Sequence, residues 1–258
     1  MILRLFDSFV FSILFPVILA LMIIFGFWIA NRFYKQRNRS WSGSGIENAI
    51  IGLYALLLSF TLLLSGNMQK ERNTMVHRVA DGAAQIKRAS FFLPGDMQLI
   101  ITEHLYNYLN LQINFYDRKI VHRKELFKQI DSLNQQLWSE LNHYVSDTSL
   151  KKEDIKLLLP LYDQLNSSFY RLAYTYDERI PIIVMSLLII GSWLIAVLVG
   201  FMNGLKKYHH YLVPIIFFVL VSLTIQAIRD LDNPYSGSVR PEYENIANLK
   251  DYILKKLR

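Results

Sequence analysis

Four uncharged stretches, each long enough to cross a bilayer, constrain this chain more than anything else: Ser8 to Asn31, Asn48 to Gln69, Ile180 to Leu205 and Tyr208 to Ile228. A hydrocarbon core takes about 20 mainly apolar residues as a helix, and an open strand would leave its backbone donors and acceptors unpaired there. Each stretch therefore reads as one spanning helix. The first is too long for the apolar core of a signal peptide and ends at Asn31 and Arg32 without a small-x-small cleavage pattern, so it reads as a true span.

Charged residues make up 19% of the chain and hydrophobic ones 52%, a balance that adds a large aqueous part to the membrane part. The expected organisation is residues 1–69 as the first two spans, 70–179 as an aqueous helical bundle, 180–228 as spans three and four, and 229–258 as a juxtamembrane turn and C-terminal helix. The fold class is thus an all-α membrane protein with four transmembrane helices and a long helical bundle inserted between spans two and three.

The aqueous segment has helical rather than strand periodicity. Span two reads as running on to about Phe92, where Pro94-Gly95 breaks it. A second helix is expected from Asp96 as N-cap to Phe115, with Leu99, Leu105, Leu109 and Ile113 on its apolar face. A third covers about 123–145 on Leu126, Ile130, Leu133, Leu137 and Leu141. A fourth opens at Thr148 or Ser149 and carries Leu157, Leu161, Leu165, Phe169 and Leu172, with a kink at Pro160 and a bend at Pro181. A last helix restarts within Pro241 to Leu257.

Orientation follows from the short loops, since Lys and Arg near span ends stay on the cytoplasmic side. Arg32, Lys35, Arg37 and Arg39 in the first loop, and Lys206 and Lys207 in the third, place both loops inside and the bundle outside. Lys70, Arg72, Arg78, Lys87 and Arg88 after span two pull the other way. The net charge of +7 belongs to membrane anchoring and not to nucleic-acid binding, because the cations cluster only beside spans.

Catalytic patterns are missing from the sequence: no Gly-rich phosphate loop, no H-E-x-x-H, no G-x-S-x-G, no EF-hand loop and no cysteine. The six histidines do not assemble into a metal-ligand spacing, so no enzyme, no cofactor and no metal centre are expected. The spans hold no Asp, Glu, Lys or Arg in their central portions, which argues against a transporter built on buried ion pairs.

Span two carries two stripes. Tyr54, Thr61, Ser65, Met68 and Arg72 form a weakly polar seam, and Ala49, Leu53, Leu56 and Phe60 a neighbouring apolar one. One reading is a helix interface with cross-helix hydrogen bonds. The other is a pore lining made by Ala49, Leu53, Leu56, Phe60, Tyr54, Thr61 and Ser65, with an apolar constriction and with Arg32, Arg39 and Arg72 as mouth charges favouring anions. After span four, Asp230, Asp232, Pro234 and Gly237 have the chemistry of a tight structural turn, with Asp230 or Asp232 expected to bond backbone donors or a nearby Arg and the turn to dock on the bundle.

The run Gly52-Leu53-Tyr54-Ala55-Leu56-Leu57-Leu58-Ser59-Phe60-Thr61, the Arg179-x-Pro181 at span three and Asp230-Leu231-Asp232-Asn233-Pro234-Tyr235-x-Gly237 resemble the bestrophin-like bacterial membrane proteins of unknown function. The order of elements is also similar to that of bestrophins, pentameric anion channels with a helical domain in the cytoplasm, whose second span lines a hydrophobic neck and whose last span precedes an acidic-Pro-Phe-Gly turn. That resemblance implies a homo-oligomeric passive ion channel, anion-selective in the bestrophin case, in a bacterial inner membrane; the alternative is a non-conducting scaffold or sensor whose bundle binds a partner. Its implied partners are the lipid bilayer, further copies of the chain and inorganic ions. Tyr235 and Ser236 replace a Phe followed directly by Gly and the acidic cluster is sparse, so calcium control is not carried over.

Overall fold

A computed structural model describes residues 8–35, 45–117, 123–147, 156–206, 211–235, 239–241 and 243–255. Among the described residues there are eight α-helices and no strand. They are α1 (Phe9–Ile29), which runs on as a π-helical turn at Ala30–Lys35, α2 (Ile46–Ser90), α3 (Gly95–Asp117), α4 (Arg123–Asp147), α5 (Leu159–Thr175), α6 (Ile182–Leu205), α7 (Leu212–Asp232) and α8 (Glu244–Lys255). Helices α1, α2, α6 and α7 are each long and apolar enough to cross a membrane. The chain divides into two compact units, one of Met1–Gln69 with Arg179–Val239 and one of Lys70–Glu178 with Arg240–Arg258.

In the first unit α1 starts on a capped turn, with Val10 N donating to Ser8 Oγ at 3.2 Å. Its central contact is with α6, and glycine makes that contact possible. A Cβ placed on Gly200 would fall 2.0 Å from the Ile23 carbonyl oxygen, and one on Gly26 2.0 Å from that of Val197. One turn on, a Cβ at Gly204 would meet the Ala30 Cβ at 2.7 Å. The two backbones touch along this seam, so small residues four apart on each helix (Gly26 and Ala30, Gly200 and Gly204) take the place of interlocking side chains. Around it Phe15, Leu19, Leu188, Ile195, Val221, Ile225 and Ile228 form the buried core.

The second unit is a helical bundle. The aqueous half of α2 buries Met75, Val76, Val79, Ala83 and Ile86; α3 buries Met97, Ile101, Leu105, Tyr108 and Leu109; α4 buries Leu126, Ile130, Leu137 and Leu141; α5 buries Tyr162, Leu165, Phe169 and Leu172; α8 buries Ile246 and Ile253. Two positions differ from the apolar pattern in the sequence. Leu99 is 55% exposed while Met97 is buried, and Leu157 is exposed while Leu158 is buried. Leu105 and Leu109 of α3 and Leu165, Phe169 and Leu172 of α5 are buried as expected, so the departure is confined to the N-terminal end of each stripe, where the packing partners and not leucine spacing alone select the face.

The prolines start helices more than they bend them. Pro160 occupies the first turn of α5, where its missing N–H has no partner to lose, so the expected mid-helix kink is absent. Pro181 serves as the N-cap of α6, and the chain leaves the helix between Thr175 and Ile182. Likewise α3 begins at Gly95, which puts Asp96 inside the first turn, near the positive end of the helix dipole, and not at the cap. The expected helix start at Thr148 or Ser149 lies outside the described residues.

The seam predicts a selective sensitivity. Gly200→Leu has no space and should cost more than about 2 kcal/mol, as overpacking of a tight contact does, lowering the thermal midpoint in detergent by several degrees. Gly66→Ala, where a Cβ meets nothing within 4 Å, should leave the midpoint unchanged. Equal behaviour of the two variants would show that the contact does not hold the unit together.

Candidate functional site

Helix α2 contains no proline and runs 45 residues, about 68 Å at 1.5 Å per residue. Its apolar stripe is uncovered: Ala49 is exposed, Leu53 is 70% exposed, Leu56 53% and Phe60 62%. The stripe on nearly the opposite side of the helix, formed by Tyr54, Leu58, Thr61, Ser65 and Gln69, is buried. Tyr54 accounts for the difference. Its hydroxyl donates to the Leu188 carbonyl at 3.1 Å and pairs with the Ser192 hydroxyl on α6, while its ring lies over Gly191.

The polar seam is thereby satisfied inside the protomer. Thr61 Oγ1 donates to the Leu57 carbonyl at 2.9 Å and Ser65 Oγ to that of Thr61 at 3.3 Å. A hydroxyl in an apolar setting satisfies itself most readily on the carbonyl one turn back. Tyr54, Thr61 and Ser65, grouped with the pore lining on sequence, sit on the covered face, and Ala49, Leu53, Leu56 and Phe60 lie within the broad uncovered side of the helix.

Among the mouth charges, Arg32 is exposed and Arg39 lies outside the described residues. Arg72 is different from the expectation: it is 0% exposed, with Nε donating to the Thr175 carbonyl at 3.1 Å and Nη2 to that of Glu178 at 2.8 Å. The last turn of α5 leaves carbonyls without helical partners, and the guanidinium fork bonds one of them, that of Thr175, at the negative end of the helix dipole, together with the Glu178 carbonyl in the segment just beyond the helix. Arg72 is a structural cap and not a mouth charge.

The turn after α7 is built around Asp232, which is only 6% exposed. Its Oδ1 accepts from the Ile180 backbone N–H at 2.7 Å, and its Oδ2 lies 3.3 Å from Arg179 Nε. Asn233 Oδ1 accepts from Tyr235 N at 3.0 Å, closing an Asx turn over the buried Pro234. Asp230 Oδ2 accepts from Val239 N at 3.2 Å. Asp232 thus ties the exit of α7 to the entry of α6, within the first unit, and Gly237 lies outside the described residues.

No group of three or more His, Asp or Glu side chains able to hold a metal occurs among the described residues. His104, on α3, is buried, and burial lowers its pKa to about 4 against a smaller opposing effect of a hydrogen bond with the Leu133 backbone. It stays neutral near neutral pH, beside a cavity of about 70 Å³ rimmed by Glu103 and Glu140.

The four apolar helices and the clasped turn define a polytopic all-α membrane protein. A family model, the Bestrophin-like domain, matches residues 44–245, and the chain belongs to that family. The fold is that of bacterial bestrophin homologues. A variant of such a homologue from Klebsiella pneumoniae aligns at 15% identity over 95% of this chain and 98% of its own, with a TM-score of 0.73. A second variant gives 14% identity, 96% and 98% coverage and a TM-score of 0.74, and a structure of the homologue phased on zinc gives 14%, 97%, 98% and 0.71. Comparison with curated proteins returned no match.

Removing the Asp232 carboxylate should expose how much the clasp matters. Asp232→Ala leaves the Ile180 N–H and the Arg179 charge without their acceptor and should cost about 2–3 kcal/mol, read as a lower thermal midpoint in detergent. Asp232→Asn keeps one oxygen acceptor and should lose about half as much. Wild-type melting of both variants would show that the contact carries no stability.

Proposed function

We propose that the protein is a homo-oligomeric passive ion channel with α2 nearest the symmetry axis. The observation that carries this reading is the uncovered apolar stripe Ala49, Leu53, Leu56 and Phe60 on a helix whose buried face is held by Tyr54. Identical stripes brought together around an axis form a narrow apolar passage, which gates by dewetting. Family membership and the shared fold support the same arrangement. Arg32 and Arg39 supply positive charge at one mouth and favour anions, over a range that screening limits to about 8 Å at physiological salt.

In this reading residues 1–69 and 180–228 are the membrane part, 70–179 the aqueous bundle and 229–258 the turn and terminal helix of a bacterial inner-membrane protein. The decisive experiment is halide flux into vesicles containing protein whose mass in mild detergent exceeds one chain. Parent protein should conduct, and Leu53→Ser or Leu56→Ser should raise the flux several-fold by wetting the constriction. A monomer across detergents, or silence from both parent and variants in vesicles holding assembled protein, would overturn the channel and favour a scaffold whose bundle binds a partner.

The bundle faces away from the cytoplasm in this proposal. The cations of the first and third loops are retained inside; of the five that opposed that placement on sequence, Arg72 and Lys87 are drawn into the protein, and Lys70, Arg78 and Arg88 are exposed. Arg72 bonds carbonyls, and Lys87 Nζ donates to Thr102 Oγ1 at 2.5 Å. A reporter active only in the cytoplasm, fused between residues 116 and 124, should be silent; activity there would reverse the orientation.

A further inference from the structure

We propose that the first unit carries a binding site for one anionic phospholipid, with an acyl chain in a groove between α1 and α6 and the phosphate on Arg229. The groove has a volume of about 320 Å³ and is lined by Phe11, Leu14 and Ile18 of α1 and by Ser186, Ile190 and Trp193 of α6, among others. Both helices are membrane spans, and Leu14 and Ile190 are about half exposed, so the groove opens sideways into hydrocarbon. Its lining is almost wholly apolar. From Phe11 to Ile18 it follows α1 for about 10 Å, roughly a third of the hydrocarbon core.

A cation lies beside one end of the groove, against the lining residue Phe11. Ser8 begins α1 and Pro181 precedes α6, so Phe11 and Ser186 lie toward the interfacial ends of their helices and Trp193 lies deeper. At that shallow end the guanidinium of Arg229, in the last turn of α7, lies 5.7 Å from the Phe11 ring centroid and donates through Nη1 to Ser12 Oγ at 2.5 Å. A guanidinium has five N–H donors, and no carboxylate among the described residues pairs with Arg229. The neighbouring acids are engaged elsewhere: Asp230 accepts from Val239 N, and Asp232 holds Ile180 N and Arg179.

A long apolar trough with a cation at its interfacial mouth and none at depth has the amphipathic layout of a phospholipid, and the cation selects a negative headgroup. The interfacial end is where the phosphate of a lipid in that leaflet lies. The site depends on the membrane placement of α1, α6 and α7 and holds whether or not the chain conducts.

The test uses the full chain in mild detergent, titrated with phosphatidylglycerol or phosphatidylcholine bearing identical acyl chains and followed by native mass spectrometry and thermal midpoint. The parent should bind phosphatidylglycerol at about one per chain and about fivefold more tightly than phosphatidylcholine, the scale of one interfacial cation. Arg229→Gln should erase the difference between headgroups, and Arg229→Lys should retain it. Ser186→Phe fills the trough while leaving Arg229 in place, and should abolish binding of both lipids at unchanged subunit number. Equal affinity of the parent for the two lipids, or undiminished binding by Ser186→Phe, would overturn the proposal. A change of subunit number in Ser186→Phe would also overturn it, by assigning the groove to a second copy of the chain.

Discussion

The membrane unit depends on the direct contact of two backbones. Between α1 and α6 there is no room for a Cβ at Gly26 or Gly200, so the helices approach until each glycine meets a carbonyl of the other. Lipid tails are as apolar as leucine side chains, and hydrophobic burial therefore gives little reason for two spans to associate. Close approach supplies dispersion contacts and weak Cα–H to carbonyl interactions in its place. Once α1 lies on α6, the Tyr54 hydroxyl finds Leu188 and Ser192 on that same helix, and one face of α2 is fixed.

Much of the fold was legible because the bilayer reads polarity more strictly than water does. A charge interrupts a span at high cost, so its absence over 20 residues marks four helices with little ambiguity. The end of α2 was equally readable, since Pro94-Gly95 cannot continue a helix. The bundle was harder. Its helices carry apolar residues on more than one face, and the choice of Met97 over Leu99, or of Leu158 over Leu157, belongs to the neighbouring helices. Pro160 was misplaced by position within the pattern: a proline in the first turn and one in mid-helix look alike until the start of the helix is known.

The candidate site was half legible for a related reason. Periodicity separates the two stripes of α2, but it does not say which faces a neighbour. The hydroxyls fit a helix interface as well as a pore lining; Thr61 and Ser65 satisfy themselves on their own helix and Tyr54 on the next. Arg72 shows the same ambiguity for charge. An arginine at the end of a span is as well suited to capping a helix terminus as to facing solvent, and only the free carbonyls at Thr175 and Glu178 decide. By contrast the small-residue pairs Gly26 with Ala30 and Gly200 with Gly204 carry a four-residue spacing that is visible in the sequence.

The Asp232 clasp limits how spans three and four can move. Ile180 and Asp232, 52 positions apart, are joined where the chain enters α6 and leaves α7. A sliding displacement of one helix along the other would pull that buried carboxylate from both its backbone donor and its arginine. Shear between the two is therefore blocked at this end, and the hairpin is left to tilt or rotate as a single rigid lever about its clasped base.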